Sequence, residues 1–196
     1  MGIKQVIPKD LPASEIAVRL GTTWIPQEDI QQFVMELLTP SQHARGRIKV
    51  RYTPYNGDWF IENKTSDYGN VKADSTYGTK RASAYRIIED TLNLKDTRIF
   101  DYVYDEHGNK KAVFNHKETT AAQAKQEVIK QAFQDWIWKD PERRNRLVRY
   151  YNDTFNSIRT REYDGSHITF GGISPEIQLR PCLLYTSDAA DDRISV

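Results

Sequence analysis

The chain has 196 residues, 38% of them hydrophobic, 28% charged and 11% aromatic, which suits one ordinary domain or two small lobes and excludes wholesale disorder. Its formal charge is +1, and its single cysteine, Cys182, excludes an internal disulfide and a thiolate metal cluster. No run approaches the roughly 18 to 20 apolar residues of a membrane span, and the first ten residues lack the pattern of a secretion signal, so a cytoplasmic setting away from membranes is expected.

In chain order, residues 3–21 open with Pro8 and Pro12, then pass into an amphipathic stretch, 14–20, that Ser14 can cap and Gly21 can end as a helix. A stronger helix follows Pro26. Glu28 and Asp29 suit the positive end of its dipole, Ile30, Phe33, Val34, Leu37 and Leu38 recur at helical spacing, and Pro40 stops it. Residues 47–63 predict a β-hairpin: Ile48, Val50 and Tyr52 alternate with Lys49, Arg51 and Thr53, and Asn56-Gly57 supplies the turn before Trp59 and Ile61. One face of that hairpin is apolar and the other basic.

The Gly, Ser, Asp and Thr of 65–80 predict a loop, and Ala84, Ile87, Ile88 and Leu92 mark another helix. Residues 98–114 form a second predicted hairpin turning at 105–109. The longest helix, 118–138, gathers Ala121, Val128, Ile129, Ala132, Phe133, Trp136 and Ile137 on one side. Asp140 then caps a helix begun by Pro141 with Leu147, Val148, Tyr151 and Phe155 as its stripe, so the two helices should make a helical hairpin. Beyond Ser157 the text is irregular, with one short strand expected at 167–170.

The class expected is α+β: a small antiparallel sheet with packed helices, a helical hairpin and an irregular C-terminal arm. The divisions expected are a lobe at 1–95, the hairpins at 96–157, an arm at 158–181 and a non-native tail at 182–196. That tail, CLLYTSDAADDRISV, resembles translated sequencing adapter, and without it 27 basic residues face 24 acidic ones.

Catalytic signatures are recognisable by their residue spacing. Gly78-Thr79-Lys80 lacks the preceding glycine and the order of a phosphate-binding loop. His43, His107, His116 and His167 stand without partners at metal-ligand spacing. Thr53-Pro54-Tyr55-Asn56 has one proline where adenine methylases have two, and reads as a turn. No catalytic, metal or cofactor residue is therefore assigned. A basic segment stands out instead, with seven cations against three carboxylates between Lys139 and Arg161. Arg143, Arg144, Arg146 and Arg149, joined by Lys49 and Arg51 on the first hairpin, are the candidate nucleic-acid contacts. Trp136 falls on the buried side of its helix and is expected in the core rather than against a base.

Four blocks in order, LPASEIAVRLGTTWIPQEDI, YGTKRASAYRIIEDTLNLKD, QAFQDWIWKDPERRNRLVRYYND and REYDGSHITFGGISPEIQLRP, resemble the region just before the motor in large Swi/Snf-like helicase and DNA methylase proteins of phages, plasmids and conjugative elements. The resemblance covers nearly all of residues 3–181. It implies that ATP and S-adenosylmethionine belong to other parts of such a protein, since the adenine-contacting segment breaks off at Leu179-Arg180-Pro181 and Cys182-Leu183 replaces its His-Gln. It also implies a non-catalytic accessory fragment connecting methylase and motor, with DNA and those two domains as partners. The alternative is a structural scaffold that docks on the motor without touching DNA.

Overall fold

In the computed structural model, residues 9–104 and 107–157 are described. The expected arm at 158–181, its strand at 167–170, the tail at 182–196 and part of the 105–109 turn lie outside them. The chain divides into two compact units, one of Asp10–Thr154 and one of Met1–Lys9 with Phe155–Val196, and the elements described below lie in the first apart from the last residue of its final helix.

The unit is α+β, with the elements α1 (Gln27–Leu38), α2 (Gln42–Arg45), β1 (Lys49–Thr53), β2 (Asp58–Glu62), α3 (Ala84–Leu92), β3 (Phe100–Tyr104), β4 (Lys110–Phe114), α4 (His116–Ile137) and α5 (Pro141–Phe155). Its strands form two separate antiparallel hairpins rather than one sheet. Residues on both sides of the expected boundary near 95 feed one core, from Leu20, Ile25 and Phe33 through Ile87 and Ile88 to Ile129, Phe133 and Leu147. Alpha1 meets α4 through aromatic rings: Phe33 lies 5.0 Å edge-on from Phe133 and 5.4 Å from Trp136.

The β1–β2 hairpin pairs Val50 with Ile61 and Tyr52 with Trp59, which places these four on the core face by strand alternation. Their amides point away from the partner strand, and helices satisfy them. Gln31 of α1 accepts from Val50 N (2.6 Å) and donates to Ile48 O, while Gln27 accepts from Tyr52 N. On the other flank Asn93 accepts from Trp59 N and donates to Trp59 O, and Glu89 of α3 accepts from Ile61 N at 2.6 Å. Side-chain amides and a carboxylate thus substitute for neighbouring strands and leave few backbone groups unpaired.

Three segments depart from the sequence expectation. Residues 14–20 make turns and irregular backbone, not a helix, and the segment is pinned by Ile16 and Leu20, both buried. The buried face of α4 is Thr119, Ala122, Gln126, Ile129, Phe133 and Ile137, while Val128 and Ala121 are exposed. The face rotates because Gln126 and Thr119 have backbone to serve. Gln126 accepts from Thr97 N and donates to Lys95 O, and Thr119 accepts from Ile99 N. Where a loop was expected at 65–80, there are a 3-10 turn at Lys64–Ser66 and a π-helical turn at Lys72–Thr76.

A buried carboxylate holds that region. Asp67 accepts from Ser41 N (3.0 Å), Asn70 Nδ2 (2.6 Å) and Tyr85 Oη (2.7 Å). Burial alone would raise its pKa, yet these donors together hold it below the ordinary carboxylate value, and the same carboxylate, added to burial, pushes the Tyr85 hydroxyl far up. Because the folded value lies below the unfolded one, this site stabilises the fold above about pH 4 and loses that contribution as pH falls through the folded value. Asp67→Asn should therefore flatten the acid limb of a stability-against-pH curve, and Tyr85→Phe should cost about 1 to 2 kcal/mol at neutral pH by urea denaturation. Parallel acid limbs for wild type and Asp67→Asn would refute the assignment.

Candidate nucleic-acid interface

The β3–β4 hairpin is an arm whose described anchors to the rest of the unit lie at its base. Ile99, at the root of β3, is buried; its amide donates to Thr119 and its carbonyl accepts from Asn115 N. Arg81 reaches Phe100 O at 3.1 Å and Asp101 at 2.7 Å, Arg86 donates to Arg98 O, and Asn115 donates to Asp101 while capping α4. Beyond this clamp every described residue of β3 and β4 except half-buried Asp101 is exposed, Tyr102 at 59% and Tyr104 at 68%. An isolated two-stranded ribbon is marginal in water, so the clamp at its root matters.

Register decides what the arm displays. Phe100 faces Phe114, Tyr102 faces Ala112 and Tyr104 faces Lys110, so one side carries four aromatic rings and a lysine. Phe100 and Phe114 pack edge to face at 5.6 Å, and Lys110 Nζ sits 4.0 Å over the Tyr102 ring. The opposite side carries Asp101, Val103, Lys111 and Val113. Lys110 and Lys111 on the strands, with Arg81, Arg86, Arg98 and Lys117 around the root, make six cations, and Asp101 is the carboxylate on the described strands.

The six cations expected to touch nucleic acid are sorted differently by the fold. Arg143 is only 7% exposed, and its fork closes the end of α4: Nε donates to Ile137 O (3.0 Å), Nη2 to Trp136 O (2.7 Å), and the guanidinium lies 3.5 Å over the Trp136 ring. It is a helix cap and is not open to phosphate. Arg146 donates at 2.6 Å to Asp29, a carboxylate buried in the first turn of α1. That hydrogen bond, with the charges of Asp29, Glu28 and Asp140, raises the Arg146 pKa against the opposing effect of burial. Arg149 is exposed and paired within its helix to Asp153 at 2.8 Å, which raises its pKa. Arg144 is exposed and has no ion pair among the described residues.

Lys49 and Arg51 occupy the outer face of β1, Arg51 at 3.3 Å from Glu62 across the hairpin. That face is mixed in charge rather than basic, since Asp58 and Glu62 share it. Trp136 is half-buried among Phe33, Phe133 and Arg143, donates to Glu36 at 2.6 Å, and so belongs to the core as expected. The arm was not singled out by sequence. Its aromatic alternation was legible, but the same pattern describes a ribbon packed beneath a helix.

A family model described as Domain of unknown function (DUF8437) matches residues 19–157. The chain belongs to this family. The family's span takes in every element from α1 to α5, so the arm and α5 are both parts of its domain. No curated protein and no solved structure matches the chain. Among the described residues no helix is long and apolar enough to cross a membrane, and no group of three or more His, Cys, Asp or Glu side chains is placed to hold a metal ion.

Proposed function

We propose that this chain is a non-catalytic accessory module of a larger DNA-processing protein, of the helicase and methylase kind it resembles, and that the β3–β4 arm touches the DNA. The carrying observation is the exposed face of Phe100, Tyr102, Tyr104 and Phe114 with Lys110 set among the rings. Aromatic faces interleaved with cations stack on bases while the cations meet phosphates, at about 1 to 3 kcal/mol per stacked base. A ribbon of two strands also fits the major groove of a duplex, but four exposed rings favour unpaired bases, as at a single strand or a fork.

Arg144, Arg149, Lys49 and Arg51 supply secondary phosphate contacts in this reading. Exposed ion pairs are weak, so Asp153 and Glu62 are readily exchanged for phosphate. Arg143 drops out because its buried guanidinium caps α4, whereas Arg146, tied to Asp29 by one nitrogen with its side chain 54% exposed, stays a secondary contact in this reading.

Fluorescence anisotropy with single-stranded, forked and duplex oligonucleotides, at about 50 to 200 mM salt, tests the proposal. Tyr102→Ala/Tyr104→Ala should weaken single-strand binding by about tenfold or more, and Arg144→Glu/Arg149→Glu should mainly lower the salt slope. Affinity that is absent, or indifferent to the arm, would reject it. Arm-dependent association with a separately produced motor, without DNA binding, would point to the scaffold role, which the exposed Val103 and Val113 on the reverse side favour.

A further inference from the structure

The β3–β4 ribbon has no third strand on either side. The bond from Asn115 N to Ile99 O sets the phase of its ladder: Asp101 with Val113, and Val103 with Lys111, are the hydrogen-bonded pairs. The backbone groups of Phe100, Tyr102 and Tyr104 therefore point outward from β3, and those of Lys110, Ala112 and Phe114 point outward from β4. Along β3 the outward groups are partly covered, since Arg81 donates to Phe100 O at 3.1 Å and is held there by Asp101 at 2.7 Å. Along β4 the outward amides and carbonyls have no partner among the described residues.

We infer that β4 pairs with β4 of a second copy of this chain, antiparallel about a two-fold axis at Ala112, to give a four-stranded sheet in the order β3-β4-β4-β3. The residues Lys110 to Phe114 suit their own reverse. Small Ala112 meets its counterpart at the axis, Lys110 faces Phe114 of the copy and Lys111 faces Val113, so no lysine stands directly opposite a lysine. Lys110, already 4.0 Å over the Tyr102 ring, gains a second ring in Phe114 of the copy. Self-pairing of β3 would instead displace Arg81 from Phe100 O, which selects β4.

The added ladder supplies about six backbone hydrogen bonds, two for each outward pair. A two-stranded ribbon is marginal in water and a four-stranded sheet is not, so each arm steadies the other. The outer edges are then the β3 strands with Arg81 at their roots, and the assembly closes at two copies. The pairing uses strand edges and leaves the ring faces open, so it does not rest on the proposed DNA contact.

Sedimentation velocity of the full chain without nucleic acid, from micromolar to hundreds of micromolar, tests this. A strand-edge interface is small, so a reversible dimer should form across that range. Ala112→Pro removes the central outward amide without touching the bonds between β3 and β4, and should weaken association by about tenfold or more. In a Cys182→Ser background, Ala112→Cys should cross-link two copies on mild oxidation and Val113→Cys should not, because residues facing each other in a hydrogen-bonded pair have Cα atoms about 5.5 Å apart and Val113 is offset from its counterpart. Circular dichroism of each variant separates lost pairing from lost fold. A chain that stays monomeric throughout, a folded Ala112→Pro variant that associates like wild type, or equal cross-linking at the two positions would overturn the inference.

Discussion

Gly78→Ala is expected to abolish most of the stability of the domain. Gly78 is buried where the π-helical turn meets the start of α3, and a Cβ there would lie 2.1 Å from Ala73 O and 2.9 Å from Ala84 N. Both obstacles are backbone, so no rotamer change relieves them, and Ala73 and Ala84 are themselves buried. A loss of about 4 kcal/mol or more is expected, against total stabilities of about 5 to 15 kcal/mol for domains of this kind. Gly46→Ala is the matched control. Gly46 is helical, at φ −76° and ψ −20°, and a Cβ there meets nothing within 4 Å, so this change should be neutral or stabilise by up to about 1 kcal/mol. Urea denaturation of the pair checks the contrast, and equal midpoints would mean the junction is looser than described.

Arg143→Ala should be the second most damaging change, although Arg143 and Arg144 read alike in sequence. Removing the Arg143 fork takes its donor from the Ile137 carbonyl, leaves the Trp136 carbonyl with the Lys139 amide (3.2 Å), and strips a cation from the Trp136 ring, at about 2 to 3 kcal/mol together. Arg143→Lys should rescue little, because a single ammonium does not reproduce the planar reach to two carbonyls and a ring. Arg144→Ala, on the exposed side, should change stability by less than about 0.5 kcal/mol. Denaturation midpoints that place the two alanine variants together would falsify the capping role.

The elements that were legible are those with strong period or punctuation. Pro26 and Pro40 bracketed α1, Asn56-Gly57 marked the first turn, and Asp140-Pro141 fixed the start of α5, where Asp140 does cap by accepting from Arg143 N at 2.7 Å. What escaped notice depended on polar side chains working inside the core. Gln126 and Thr119 turn α4 toward the 95–99 segment, and an apolar count cannot see this because the reward is a satisfied backbone rather than buried carbon. Asp67 likewise organises a stretch that its Gly, Ser and Asp content marked only as loop.

The candidate contacts were partly legible for a related reason. Helical spacing placed Arg146 and Arg149 off the apolar stripe, yet it could not show that α1 sets Asp29 within 2.6 Å of Arg146. The arm required knowing which apolar face finds no cover, and that depends on how many helices reach each hairpin. Alpha1 and α3 both pack on β1–β2, which leaves the later ribbon standing out.

The amides lent by α1 and α3 to the first hairpin have one more consequence. A bare ribbon edge invites an incoming chain to add itself sideways, the first step toward runaway stacking between copies. Gln27 and Gln31 on one flank, with Glu89 and Asn93 on the other, already occupy those positions, so the hairpin that builds the core is closed to recruitment.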